Sequence, residues 1–349
     1  MASAASHTVG DQPKHHVVVT WPDYDTDGEQ LGRALTRAGL SVRLAPKLGA
    51  RSALEVRALV QGAVGAIVST DPFDAGVLAS STALRVIARV GVGVDSIDLD
   101  AATAHGVAVT VTPGANEGTV ADHTIALMLA AARRICEQDA AVRRGEWDRT
   151  GEHVASLLSG SSVGLIGFGH VGRVVAERLR GFRVRVLVND PVAPGDASVE
   201  SVGLDALLAA CDVVSLHVPL LPSTRGLIGA RELAIMRPGA ILVNTARGGV
   251  VDEAALVDAL ERGRLRAAAL DVFADEPPAG SRLLGLSNVV LSPHIAGLSR
   301  RSVQEMTRCA TSSVIDVLSG RPPLHLANPE VLDHAAFAAA PVGARGQRA

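Results

Sequence analysis

The chain has 349 residues, enough for two domains of ordinary size, with 48% hydrophobic and 20% charged residues and a formal net charge of -3. Aromatic residues are 2% and no basic block occurs, which argues against a nucleic-acid surface. No uninterrupted apolar run approaches the roughly 18 residues of a spanning helix, so no membrane association is expected.

The opening MASAASHTVGDQPKHH lacks the apolar core of a signal peptide, and residues 1–13 read as a flexible tail on a cytoplasmic protein. The runs HVVVT, VRLA, AIVS, VIAR and VAVT follow, all before residue 111. Strands apolar on both faces suit a covered parallel sheet. Helical patterns lie between them, such as Gly28 to Ala38 and Ala101 to Ala104. After the turn-rich TPGAN, one long helix is predicted from Thr119 to about Arg144, with Thr119 or Asn116 as its cap.

A second α/β unit starts near Ser162. Its strand candidates are VGLIG (163–167), VRVLV (184–188), VVSLH (213–217), AILVN (240–244), AAALD (267–271) and VVLS (289–292). Helices are predicted around 171–180, 203–210, 229–236 and 252–262. This alternation suits a doubly wound dinucleotide fold. A last helix, roughly Arg301 to Leu318, has no strand after it and is expected to pack back on the first unit. The Ala-, Gly- and Pro-rich tail from residue 333 reads as flexible.

The sharpest local signal is VGLIGFGHVGRVVAERL, in which Gly167, Gly169 and Gly172 form GxGxxG between a strand and an amphipathic helix. The first glycine allows the tight turn, the second lets backbone approach a pyrophosphate, and the third lets helix and sheet meet closely. Asp190 follows the second strand, 18 residues after Gly172. A carboxylate there can accept from both ribose hydroxyls and would repel a 2′-phosphate, which favours NAD over NADP; the competing reading is a turn residue before Pro191.

Reduction of a 2-oxo acid needs a cation for the carboxylate and carbonyl, an acid, and a carboxylate that keeps this acid charged. Arg247 in VNTARGG, Glu276 in LDVFADEPP and His294 in SPHIAG each follow a strand signal. Each alone could be structural, so the case rests on all three in one unit. Asp271 could face the nicotinamide amide or cap a turn, Asp252 reads as a helix N-cap, and His217 is placed in the cofactor cleft. His123 in the long helix reads as packing or an interdomain contact. In RVGVGVDSID, Gly91 and Gly93 expose N–H groups that could clasp a carboxylate, with Arg89 as a second cation; the alternative is a tight turn. Cys136, Cys211 and Cys309 read as reduced structural thiols, and no HExxH or compact Cys/His cluster indicates a metal.

The segments ARVGVGVDSIDLDAA, VTPGANEGTVADHTIALMLA, VGLIGFGHVG, SLHVPLLPSTRGLI, ILVNTARGGVVDEAAL, AALDVFADEPP and LSPHIAG resemble the D-isomer-specific 2-hydroxyacid dehydrogenase family, in its phosphoglycerate dehydrogenase-like branch. The resemblance implies two Rossmann-like doubly wound α/β domains with an active-site cleft between them. Residues 14–116 with 299–332 would form the substrate-binding domain, and 117–298 the NAD-binding domain with its dimerisation segment. It implies Arg247 as substrate orienter and His294 as general acid/base paired with Glu276. Cofactor residues would be Gly167, Phe168, Gly169, His170, Val171, Gly172, Asp190, His217, Val218, Pro219, Thr224, Thr245, Ala246, Asp271 and His294. Substrate residues would be Arg89, Val90, Gly91, Val92 and Gly93, with Arg247 and His294. The implied cofactor is NAD and the implied assembly a homodimer. The expected substrate is 3-phosphoglycerate/3-phosphohydroxypyruvate or a close analogue. Alternatives are glyoxylate, hydroxypyruvate, phosphite or a phosphonate, or a non-enzymatic NAD-sensing scaffold. Arg300 and Arg301 near His294 could meet a phosphate or only solvent.

Overall fold

A computed structural model describes residues 15–22, 24, 28–47, 49–150, 156–192 and 198–338. The tails read as flexible fall mostly outside these residues; 333–338, which do not, end one short helical turn and form another. The chain divides into two compact units, Met1–Pro113 with Val303–Ala349, and Gly114–Ser302.

The first unit begins β1 (His16–Val19), α1 (Gly28–Arg37), β2 (Ser41–Leu44), α2 (Ala53–Leu59), β3 (Gly65–Val68), α3 (Ala75–Ser80), β4 (Val86–Arg89), α4 (Leu99–Ala104) and β5 (Ala108–Thr110). Its five strands lie in the order β2-β1-β3-β4-β5, all parallel. The central strands are buried along their whole apolar length because helices cover both faces. Ser52, Asp74 and Asp98 cap α2, α3 and α4 by accepting backbone N–H groups that no helical carbonyl can serve.

The second unit comprises α5 (Glu117–Arg133), α6 (Ile135–Arg143), β6 (Ser162–Ile166), α7 (His170–Leu179), β7 (Arg185–Asn189), β8 (Glu200–Ser201), α8 (Leu204–Ala210), β9 (Val213–Leu216), α9 (Ala230–Ile235), β10 (Ala240–Asn244), α10 (Glu253–Glu261), β11 (Leu265–Leu270) and β12 (Val289–Leu291). Seven parallel strands run in the order β12-β11-β10-β9-β6-β7-β8. Chain direction reverses its march between β6 and β9, and ligands bind beyond the carboxyl ends of the strands at such a switch point. One apolar layer joins α8, α9 and α10 to the sheet. The opposite layer joins α5 and α7 to it.

The single long helix expected after Thr119 is two helices. Arg134 breaks it, with φ 54° and ψ 37°. The reason is burial: α5 inserts Ala121, Thr124, Ile125, Leu127, Met128, Ala131 and Ala132, whereas no residue of α6 is buried. Asn116 occupies the first cap position without a side-chain cap bond; Glu117 instead accepts the Gly114 N–H at 2.6 Å. Two-residue β8 carries too little pattern to be legible in sequence.

The last long helix, α11 (Arg300–Leu318), enters the first unit, where Tyr24 and Thr311 share a buried hydrogen bond of 2.9 Å. Buried Asn328 then accepts the Val109 N–H at 2.8 Å and donates to the Val107 carbonyl at 3.0 Å, tying the returning chain to the β5 edge. The described chain closes with α12 (Ala335–Ala338).

Candidate active site

The turn from β6 into α7 is built by its three glycines, each for a different reason. Gly167 has φ +94°, and a Cβ there would lie 2.5 Å from the His217 carbonyl oxygen. A Cβ on Gly172 would overlap the Gly167 carbonyl. At Gly169 nothing lies within 4 Å of a Cβ, so the position is open to a ligand. Gly169 also heads α7 without any side-chain cap, leaving the first helical N–H groups and the positive end of the helix dipole for an anion. His170 and Val171 begin that helix, and Arg173 stacks on the Phe168 ring at 4.9 Å. This cradle fits a dinucleotide pyrophosphate.

Asp190 stands just beyond β7. One carboxylate oxygen accepts the Phe168 N–H at 2.7 Å and the other accepts the Val192 N–H at 2.8 Å. The carboxylate thus braces the glycine turn as well as its own turn. Ionised, it has about four acceptor sites, so capacity for hydroxyl donors remains.

His217, beyond β9, has its Nε2 buried without a hydrogen-bond partner, and burial pushes its pKa down to about 4. The imidazole is therefore neutral at pH 7. The adjoining loop carries Val218 and Pro219. Its Thr224 hydroxyl donates to the Pro219 carbonyl at 2.6 Å and accepts the Leu221 N–H at 2.8 Å, closing the loop on itself.

Arg247 follows β10 through Thr245 and Ala246. Buried Asn244 holds this turn from both sides, accepting the Ala246 N–H at 3.0 Å and donating to the Arg247 carbonyl at 2.9 Å. Sequence reasoning passed over Asn244; the polar end of an otherwise apolar strand was its signal. Arg247 also donates to the Ala246 carbonyl at 2.7 Å.

His294 and Glu276 come together as the sequence predicts, with Nδ1 and Oε2 2.6 Å apart. Glu276 also accepts the Phe273 N–H at 3.1 Å. Burial pushes its carboxyl up, but the His294 hydrogen bond and charge, the Phe273 N–H and the Arg247 charge outweigh that and hold it below its ordinary value. An ionised carboxylate only accepts, so the proton of this bond sits on Nδ1 and Nε2 is left for other chemistry.

Asp271, fully buried, organises the His294 segment. Its carbonyl accepts the His294 N–H at 2.8 Å. Its carboxylate accepts from the Ser292 hydroxyl at 2.5 Å, from Ile295 N–H at 3.0 Å and from Ala296 N–H at 2.8 Å. His294 itself has φ 54°, a conformation costly for a non-glycine residue and sustained by such surrounding bonds. His123, read as packing or an interdomain contact, is hydrogen-bonded to Ser292 Oγ at 2.9 Å inside the second unit. Asp252 caps α10, as its sequence context indicates.

In the first unit, Gly91 does not offer its N–H to a ligand: Thr112 Oγ1 accepts it at 2.9 Å. Its φ is +139°, and a Cβ there would overlap the Arg89 guanidinium. Arg89 is folded back over its own segment, donating to the Gly93 carbonyl at 3.1 Å and to the Val90 carbonyl. Val92 is exposed. Arg300 and Arg301 are exposed at the start of α11. Burial raises the Cys211 thiol to about 12, which keeps it protonated; Cys309 is raised for the same reason. Among the described residues no helix is long and apolar enough to cross a membrane.

Comparison with known proteins agrees with this arrangement. Residues 125–296 match the NAD binding domain of the D-isomer specific 2-hydroxyacid dehydrogenases. A D-3-phosphoglycerate dehydrogenase of Mycobacterium leprae is 46% identical over 241 residues, 68% of this chain and 45% of that protein. The chain thus spans about half the length of such relatives. A glyoxylate reductase of Thermococcus litoralis is 40% identical over 273 residues, covering 75% of this chain and 82% of that protein. A solved structure from Thermus thermophilus superposes with a TM-score of 0.82 at 40% identity, over 89% of this chain and 99% of the other. The glycine turn, the strand-end residues and these likenesses converge, and the chain belongs to the D-isomer-specific 2-hydroxyacid dehydrogenase family of NAD-dependent oxidoreductases.

Proposed function

We propose that the protein interconverts a D-2-hydroxy acid and its 2-oxo acid, with 3-phosphoglycerate/3-phosphohydroxypyruvate or a close analogue as the substrate pair. The 2.6 Å His294–Glu276 pair carries the reading. The glycine turn, Asp190 and the residues beyond β9, β10 and β11 would hold NAD, which would supply the hydride chemistry. In the reductive direction His294 Nε2 donates a proton to the substrate oxygen, and in the oxidative direction it receives one. Glu276 orients the ring through Nδ1 and stabilises its cationic form. Arg247 contributes a planar cation suited to a carboxylate and to developing charge on the carbonyl oxygen. Arg89, Val90, Gly91, Val92 and Gly93 are proposed substrate residues of the first unit, with Gly91 acting other than through its N–H.

Identity to phosphoglycerate dehydrogenases supports a phosphorylated substrate. Reduction of glyoxylate is the second reading, favoured by the larger share of a glyoxylate reductase that the chain covers. Initial rates of NADH oxidation against 3-phosphohydroxypyruvate, hydroxypyruvate and glyoxylate separate the two. A kcat/KM at least about 10-fold higher for the phosphorylated acid supports the first reading, and the reverse order supports the second. No turnover of any of them by an NADH-binding protein would overturn both.

A homodimer through the second unit belongs to the same proposal. Its support is α6, which buries nothing and exposes Ile135 and Val142, together with exposed Trp147 and Leu157. Light scattering behind size exclusion reads the mass directly.

A further inference from the structure

The polar contacts of α5 lead to a residue that the chemistry above does not use. Three side chains of this helix reach segments beyond strand ends: Thr124 bonds Thr245 at 2.8 Å, Thr119 bonds Ser299 at 3.0 Å, and His123 Nε2 bonds Ser292 Oγ at 2.9 Å. The last contact continues. Ser292 has one hydroxyl proton, and the 2.5 Å bond to Asp271 uses it, because an ionised carboxylate cannot donate. Ser292 Oγ must therefore accept from His123, whose Nε2 carries the proton. Beyond Ser292 stands the Asp271 carboxylate, which takes the N–H groups of Ile295 and Ala296, the two residues directly after His294. His123 Nε2 is also 3.5 Å from Asp271 Oδ1, within ion-pair reach of a fully buried carboxylate.

We propose that His123 is a positioning residue for His294, acting through Ser292 and Asp271. The left-handed conformation of His294 stands at φ 54° only while neighbouring bonds over-determine it. Asp271 supplies four of these bonds, and His123 fixes the acceptor that supplies them. The helix thereby holds His294 Nε2 at one place and angle, and proton transfer is steeply sensitive to such placement. His123 touches neither substrate nor Glu276 in this role, and its loss acts on the catalytic step rather than on binding.

The proposal rests on the reading of His294 as the acid/base, so its test includes a measurement that needs no turnover. Amide hydrogen exchange at Ile295 and Ala296 is measured on the ligand-free protein for wild type, His123→Leu, His123→Gln and Ser292→Ala. Kinetics are measured on the same proteins and on the His123→Leu/Ser292→Ala double variant, with the best 2-oxo acid. Exchange at both amides is expected to speed about 10-fold in His123→Leu and to return close to wild type in His123→Gln, whose amide N–H can replace the imidazole donor. kcat falls about 10-fold in His123→Leu with KM values within twofold, recovers in His123→Gln, and falls no further in the double variant than in the worse single one. Exchange unchanged in His123→Leu, or effects of the two substitutions that multiply, would overturn it. Faster exchange in a protein without turnover would support the His123 link while counting against the assigned reaction.

Discussion

Gly248 lies flat against the main chain of Phe273: a Cβ on Gly248 would overlap the Phe273 carbonyl carbon and oxygen. The turn that bears Arg247 and the loop that leads to Glu276 are thus locked through bare backbone. Buried Phe273 sits between them, and its N–H is held by Glu276.

Gly248→Ala should accordingly lower folding stability by about 3 kcal/mol or more, since backbone cannot give way as a side chain does. Gly249→Ala is the control, because its Cβ would meet side chains and no backbone: the Leu220 methyl groups at 3.2 Å and the Arg225 guanidinium at 3.5 Å. Urea unfolding of both variants checks this. Equal midpoints would show that the two loops are not in register as described.

His294→Asn should cost about 1,000-fold in kcat with NADH binding retained, the range of a lost general acid. Stopped-flow fluorescence titration alongside steady-state rates separates the two effects. A variant within tenfold of wild type would remove His294 from the proton step.

Glu276 gives a pH signature. Its folded-state pKa is depressed, so its contribution to stability is full at neutral pH, starts to fade below the ordinary carboxylate range, and is gone once pH passes under the folded value. The stability gap between wild type and Glu276→Gln should therefore narrow from pH 7 to pH 3. A gap independent of pH would mean that the pairing with His294 carries no charge.

His217 gives a second signature in the same direction from the opposite chemistry. Its pKa lies at about 4 against an ordinary 6.5, so between these values the unfolded chain binds the proton and the folded one does not. Stability is lost as pH falls through that window, by up to about 3 kcal/mol. His217→Asn should flatten the pH 7 to pH 4 part of the curve by that amount in urea titrations; an unaltered slope would place the imidazole in contact with water.

Asp190→Ser should weaken NADH by about 10- to 100-fold and raise the NADPH/NADH ratio of kcat/KM, because it removes charge-assisted acceptors and the repulsion of a 2′-phosphate. Because Asp190 also holds the Phe168 N–H, the ratio is the diagnostic quantity and not the loss alone. An unchanged ratio would reduce Asp190 to a brace of the glycine turn.

Much of this was legible along the chain. Strands buried on both faces announce themselves as continuous apolar runs, and β6, β9 and β10 stand where VGLIG, VVSLH and AILVN place them. Glycines that cannot carry a Cβ stand at GxGxxG for a local reason, and Arg247, Glu276 and His294 follow strand ends, where ligands of such sheets lie. These features depend on neighbours close in sequence, or on a period that a parallel sheet imposes. The break at Arg134 was decided by tertiary structure, since burial ends at Ala132 while the helical pattern continues. So was the withdrawal of the Gly91 N–H into a bond with Thr112, 21 positions away. The chain from His123 to Asp271 spans 148 positions and joins a helix to two strand ends, a partnership of hydrogen-bond donors and acceptors that no periodicity encodes because only the closed fold sets their distances.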